Sequence, residues 1–375
     1  MNNNMKEVKA EFGHIILKGS SYDSGWKLGE LLKGNENFIK FLTSGKFDKK
    51  KSGFEDFDEI LSMYNKYCPG INDEIQGFAD KVDCSLESVI YYHYSVDFQT
   101  NCSHFVVLPS ITANNHLYVA RSYEWNYNEE DRLLCTTKLE GKMGHIGFSM
   151  LLFGRYEGLN NHGLCITTSG GGAYTAPILN KKGISNTLAV RALLENCKNV
   201  KEALENLVKM PVIPTQNYLL CDKSGHIALV EGIDCKFDVK ELTLESQEQY
   251  LCSTNHPTLP KMTQYYKYLH KWLKSNSPMR HKLITNTIQQ NKPEITPANI
   301  KSLLSTEIPN GLCAYYHSGS FGTVWSMVFN LTLDKVEICF GPPSHNKWHN
   351  FSVDKPDIGS RYPAIFIDKG IMDLS

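Results

Sequence analysis

Apolar residues recur at helical spacing from Phe54 to about Phe98: Phe57, Ile60, Leu61 and Tyr64, then Ile71, Ile75, Phe78 and Val82. Such spacing places them on one face of successive helical turns. Pro69-Gly70 interrupts the run, and Asp83 or Ser85 can cap a further helix through Leu86, Val89, Ile90 and Tyr92, ending near Val96 to Phe98. The first hundred or so residues therefore read as a helical layer. From Cys102 onward the period shortens. Phe105–Leu108, Leu117–Ala120, Leu133–Leu139, Ile146–Phe153 and Leu164–Thr168 are short β-rich runs separated by turn signals. Asn114-Asn115 and Asn160-Asn161-His162-Gly163 suit tight turns, because Asn and Gly accept positive φ at low cost.

Two amphipathic helices follow, one through Leu188 to Leu194 and one opening at Asn199 with Glu202 placed to reach back to its start. Asn217–Cys221 and Ile227–Glu231 form a hairpin across Asp222-Lys223-Ser224-Gly225, and Tyr250–Thr254 reads as a strand ending at Asn255-His256-Pro257. Lys261 to about Ser305 is helical, with Pro297 in the first turn after a Thr296 cap, and Val324–Asn330 and Val336–Phe340 close the chain as a strand pair. This order of helices and strands predicts an α+β domain in which antiparallel sheets are covered by helices.

The chain has 375 residues, of which 41% are apolar, and its 39 Lys plus Arg nearly balance 40 Asp plus Glu. There is no global field to attract nucleic acid or an anionic membrane. The amino terminus lacks the apolar core of a signal peptide, and the longest apolar stretch, Ile146–Phe153, is far below the roughly 18 residues needed to span a bilayer. A cytoplasmic protein is expected. Its 11 cysteines are scattered without a C-x-x-C pair, so reduced thiols are expected rather than a disulfide framework or zinc site. Gly170-Gly171-Gly172 marks closely approached backbone, not a phosphate loop, since no Lys follows at the required spacing.

Cys102 stands where the helical pattern gives way to strands, so a cut before it would make it an N-terminal nucleophile. Its structural alternative is a packed cysteine at the start of a strand. His104 lies two residues on and would share a strand face with Cys102, which makes a Cys102–His104 dyad the rival mechanism, one that needs no cleavage. Arg121 and Glu124, three apart on or beyond the second strand, read alone as an exposed ion pair, and Asn255 read alone as a turn or cap.

Read together, Asn101-Cys102-Ser103-His104-Phe105, Ala120-Arg121-Ser122-Tyr123-Glu124-Trp125, Gly158-Leu159-Asn160-Asn161-His162-Gly163-Leu164 and Ser253-Thr254-Asn255-His256 resemble the acyl-CoA:6-aminopenicillanate acyltransferase family of cysteine N-terminal-nucleophile (Ntn) hydrolases, with its choloylglycine hydrolase and penicillin V acylase relatives. The resemblance implies a four-layer αββα fold and hydrolysis of a linear amide, or transfer of its acyl group. It implies that cleavage of Asn101–Cys102 leaves residues 1–101 as a helical N-terminal segment and 102–375 as the catalytic region, both within one structural domain. In the mature form the free α-amino group of Cys102, with an ordinary pKa of roughly 8, would take the thiol proton. The resemblance assigns Arg121 to the thiolate or the substrate carbonyl, Glu124 to orienting the amino group, and Asn255 to the oxyanion. His104, Tyr123, Thr168, Ser169 and Gly170 are expected along the substrate pocket. The partner implied is a small-molecule amide or acyl donor; no metal or redox cofactor is implied, an acyl-coenzyme A thioester could serve as donor, and a homo-oligomer is left open.

Two departures stand out. Thr168-Ser169-Gly170 takes the place of a pocket Asn found in bile salt hydrolases, and Arg280 is followed by no Arg until Arg361, which leaves the late catalytic Arg of parts of the superfamily without a match. The first argues against a bile salt hydrolase; the second, with Glu124 in place of the usual Asp, keeps open a binding protein on the same scaffold with an inactive Cys102.

Overall fold

The structure, a computed structural model, describes residues 5–43, 47–95, 101–173, 175–177, 182–213, 215–354 and 360–372. The first strand lies where helices alone were expected. Val8, Ala10 and Phe12 alternate with charged residues in β1 (Lys6–Gly19), so one face packs inward while the other meets water. The helical reading holds for the rest of the N-terminal segment: α1 (Ser21–Leu32), α2 (Glu36–Thr43), α3 (Phe57–Tyr67), α4 (Ile71–Val82) and α5 (Leu86–Ser95). Ser85 is the cap of α5, accepting from Ser88 N at 3.2 Å, while Asp83 ends α4 in the left-handed region at φ 59. The expected helix end at 96–98 lies outside the described residues.

The strands that follow are β2 (Asn101–Val107), β3 (Tyr118–Trp125), β4 (Leu133–Leu139), β5 (His145–Met150), β6 (Gly158–Asn160), β7 (Cys165–Gly170), β8 (Gln216–Cys221), β9 (Ile227–Ile233), β10 (Lys236–Leu242) and β11 (Tyr250–Ser253). Then come β12 (Phe321–Asn330), β13 (Lys335–Phe340) and two strands beyond the expected closing pair, β14 (Trp348–Phe351) and β15 (Arg361–Asp368). Helices α6 (Asn186–Asn196) and α7 (Val200–Leu207) precede β8, and α8 (Lys271–Asn291) and α9 (Pro297–Ser305) precede β12.

Among the described residues one sheet runs β10-β9-β8-β7-β6-β5-β4-β1-β15 and a second runs β11-β2-β3-β12-β13-β14. β1 pairs parallel with β4 and antiparallel with β15, so the N-terminal segment is woven into the first sheet. The sheets pack face to face, β2 against β7 and β8; α6 covers the outer face of the first and α8 and α9 that of the second. This is the four-layer αββα arrangement. Between the sheets Trp325 stacks on Tyr123 and Phe148 with ring centroids 4.1 and 4.2 Å away.

Outside the first sheet, α1 and α4 approach until backbone touches backbone. A Cβ on Gly25 would lie 1.7 Å from the Glu74 carbonyl oxygen, so only glycine fits there. This contact carries Glu74 to Arg191 of α6, whose Nη1 donates to it at 3.0 Å, and both side chains are fully buried.

Candidate active site

Cys102 is the second residue of β2 and wholly buried. Strand alternation sends its side chain, with His104 and the facing Tyr123 and Arg121 of β3, into the space between the sheets. Asn101, Ser103, Ser122 and Glu124 occupy the opposite face, under α8. Cys102 and its expected carboxylate partner are thus divided by the sheet, because Glu124, three residues from Arg121 on β3, takes the opposite face.

Three buried side chains hold Cys102. Arg121 Nη2 lies 3.5 Å from its Sγ. Asn255 Oδ1 accepts from its backbone N–H at 2.9 Å. Arg280 Nη1 donates to its carbonyl oxygen at 2.7 Å. Arg280 lies on α8, and its Nη2 also donates to Asn255 Oδ1 at 2.8 Å. Because a guanidinium only donates, the Asn255 atom facing it is oxygen, and the Asn255 Nδ2 donates to the Gly170 carbonyl at 3.1 Å. In this uncut chain an amide N–H of Asn255 donates to the Gly170 carbonyl, and its oxygen accepts from the Cys102 nitrogen.

Arg121 makes an ion pair with Glu157 at 2.7 Å, both side chains fully buried, and its Nη1 donates to the Thr168 carbonyl. The faces of Tyr123 and Tyr156 lie 5.3 and 5.6 Å from its guanidinium carbon. Burial opposes the charge on Arg121, but Glu157 and the Cys102 sulfur outweigh it and keep the group a cation. Burial also pushes the Glu124 carboxyl up to about 7, with Arg280, Ser122 and Arg121 acting against the rise. Glu124 faces Asn101 across the β2–β3 pair and contacts the Ser122 hydroxyl.

Several expected pocket residues contribute backbone or framework rather than open surface. Thr168 and Gly170 offer carbonyls to Arg121 and Asn255, and Ser169 Oγ donates to the Thr254 carbonyl. Tyr123 OH donates to Glu130. His104 shares the face of Cys102 as expected, but its Nδ1 bonds Thr167 Oγ1 at 2.8 Å, and burial, then Arg121, hold its pKa well below the ordinary value. The structure does not bring it to the thiol.

Glu157 and Arg280 escaped the sequence reading. A lone carboxylate inside the apolar run from Ile146 to Leu164 was the signal for the first. Arg280 belongs to a helix with many basic residues, and it reaches the site because Asn276 Oδ1, one turn back, accepts from its Nε at 2.7 Å. Pro278 within this helix cannot donate to Lys274 O, and Tyr266 OH donates there instead at 3.1 Å. Arg280 thus reaches the Cys102 carbonyl, Ser103 and Asn255 from α8. The Asn160 expectation is simpler: its side chain ties the Asn160–Gly163 turn, accepting from His162 N and Leu164 N, each at 3.0 Å.

The family model for acyl-coenzyme A:6-aminopenicillanic acid acyl-transferase matches residues 111–345. The chain belongs to this family. The family is named for acyl transfer between coenzyme A and 6-aminopenicillanic acid. No curated protein matches the chain. Among solved structures, penicillin V acylase from Agrobacterium tumefaciens is similar at 18% identity, covering 70% of this chain and 90% of its own, with a TM-score of 0.45. The Caenorhabditis elegans ortholog of N-acylethanolamine-hydrolyzing acid amidase gives 16% identity, 62% and 93% coverage and a TM-score of 0.44. A mutant conjugated bile acid hydrolase from Clostridium perfringens gives 14%, 73%, 99% and 0.46. At such TM-scores the likeness is loose, and membership of the acyltransferase family rests on the sequence match. Among the described residues no helix is long and apolar enough to cross a membrane.

Proposed function

We propose that the chain matures by cleavage of its Asn101–Cys102 bond and then works as an N-terminal-cysteine amidohydrolase or acyltransferase through a Cys102 thioester. The observation that carries this reading is that sulfur, nitrogen and carbonyl oxygen of one buried residue are each held by a separate buried polar side chain: Arg121, Asn255 and Arg280. A packed structural cysteine has no need of such support.

In maturation the Cys102 sulfur attacks the Asn101 carbonyl carbon and the C–N bond breaks, leaving a thioester and a free amine; water then releases the Asn101 carboxylate. In turnover the α-amino group takes the thiol proton, the thiolate attacks the substrate carbonyl, and the same amine returns the proton to the leaving group. Asn255 Oδ1 is placed to accept from that amine, and Arg121 to stabilise the thiolate and the charge that forms beside it. The donor would be a linear amide or an acyl thioester such as acyl-coenzyme A, and the acceptor water or a small amine. The Cys102–His104 dyad gains no hydrogen bond: His104 Nδ1 is taken by Thr167, and its Nε2 meets no partner among the described residues.

Brief reaction with a chromogenic linear amide, an acid quench and intact-mass analysis should show one acyl group on the piece beginning at Cys102, removable by hydroxylamine. Cys102→Ser retaining full activity would refute thioester chemistry.

A further inference from the structure

Asparagine before a labile peptide bond has reactivity of its own. Its Nδ2 can attack its own backbone carbonyl carbon, closing a five-membered imide while the bond to the next residue breaks and the departing nitrogen takes the proton. No water is consumed. The Asn101–Cys102 bond therefore faces two competing nucleophiles, Cys102 Sγ and Asn101 Nδ2. Their products differ: the thiol route, completed by water, ends the N-terminal piece in an Asn101 carboxylate, whereas cyclisation ends it in a succinimide one water lighter.

The fold treats the two nucleophiles differently. Asn101 Nδ2 donates to the carbonyl oxygen of Ser320 at 3.2 Å. Ser320 follows the single 3-10 turn His317–Gly319 and is held in the left-handed region at φ 55 and ψ 33. A serine gains nothing by itself from that conformation, so the surroundings must impose it. They do so through His317, which is buried, with its Nδ1–H donating to the Trp125 carbonyl at 3.0 Å, at the end of β3. Its ring lies against Gly322, where a Cβ would come within 2.2 Å of Nδ1. Tyr127 and Phe366 flank the ring with centroids 5.0 and 5.2 Å away. The turn is thus anchored from several sides. The second asparagine side reaction, attack of the following backbone nitrogen on the side-chain carbonyl, is opposed too, because that nitrogen donates to Asn255 Oδ1 at 2.9 Å.

We propose that the His317–Ser320 turn is a clamp that holds the Asn101 amide away from its own carbonyl, so that the bond is cut by the Cys102 thiol and not by asparagine cyclisation. Ser320 and His317 are positioning residues in this account, and the proposal rests on the maturation step above. Intramolecular attack demands reacting atoms roughly 3–3.5 Å apart and correctly aimed, and an amide tethered to Ser320 is directed elsewhere.

The test uses the full chain in a Cys102→Ala background, where the thiol route is closed. Cys102→Ala alone should stay whole. Adding Ser320→Val, whose β-branched side chain disfavours the left-handed region, should release Asn101 and raise the loss of intact chain about tenfold or more, with an N-terminal piece one water light. A double variant as inert as Cys102→Ala would overturn the clamp. Should Ser320→Val fail to fold, the unmodified protein decides: its N-terminal piece should end in a free Asn101 carboxylate, and a succinimide there would overturn the proposal. A wild-type chain that never separates counts against maturation, and the double variant still judges the clamp.

Discussion

Arg191 and Arg121 are both wholly buried and both paired with carboxylates, yet they are built to opposite ends. Arg191 turns each of its nitrogens to an acid: Glu74 takes both terminal nitrogens, one of which also donates to the Phe153 carbonyl at 2.7 Å, Glu195 accepts from Nε at 2.8 Å, and Lys142 meets the other Glu195 oxygen at 2.8 Å. Burial works against the charge on Glu195, but Arg191 and Lys142 outweigh it and bring its carboxyl down to about 2. Arg121 gives one nitrogen to Glu157 and spends the others on a backbone carbonyl and on the Cys102 sulfur. Nearby Arg280 faces amides, a hydroxyl and the Cys102 carbonyl, and Glu124 is raised to about 7 by burial. The first network joins α4 of the N-terminal segment to α6 of the catalytic region. The second turns donors that no carboxylate takes toward the sulfur and carbonyl of Cys102. A buried arginine marks a site when its fork reaches atoms that change in the reaction, and a fastening when carboxylates consume it.

Arg121→Met should separate the two kinds most strongly. It removes the cation beside sulfur and strands Glu157, so the rates of chain cleavage and of amide turnover should fall about a thousandfold or more; rates near wild type would reduce Arg121 to a packing element. Glu74→Gln strikes the other network. Losing one partner of a buried pair costs roughly 3–5 kcal/mol, to be read by urea denaturation. Its kcat, measured on the folded fraction, should stay near wild type, and a drop in kcat without a drop in stability would merge the two networks. A smaller effect is expected from Glu124→Gln. The folded-state pKa of Glu124, about 7, lies above its ordinary 4.5, so its contribution favours the fold at low pH and is lost as pH rises through about 7. The variant should flatten that decline, gaining about 3 kcal/mol over wild type above neutrality. Glu195, lowered to about 2, has the opposite sign: its contribution is present at neutral pH and is lost only as pH falls through that value. Equal stability of Glu124→Gln and wild type at alkaline pH would contradict the raised carboxyl.

Much of this was legible in local pattern. Cys102 at the start of a strand, Arg121 and Glu124 three apart on the next, and Asn255 after β11 sit in stretches whose alternation or turn residues fix their faces. The hairpin at Asp222–Gly225 and the Thr296 cap follow from turn and capping chemistry in the same way. Long-range partners were not legible. Glu157 and Arg280 meet Cys102 and its neighbours only because two sheets and α8 stack, and nothing within a few residues of either announces a distant sulfur or amide. β1 was missed because its alternation is diluted by Lys and Glu, as befits a strand with one wet face, and it directly precedes a helical run. Asn101 was legible as a cleavage position but not as a tethered side chain, since Ser320 lies at the far end of the catalytic region.

The central claim is that Cys102 becomes a free N-terminus. N-terminal sequencing and intact-mass analysis of the purified protein should find two pieces, residues 1–101 and 102–375, the second beginning with Cys102, and Cys102→Ala should remain one chain. A wild-type protein that hydrolyses amides while its Asn101–Cys102 bond stays intact would contradict the account.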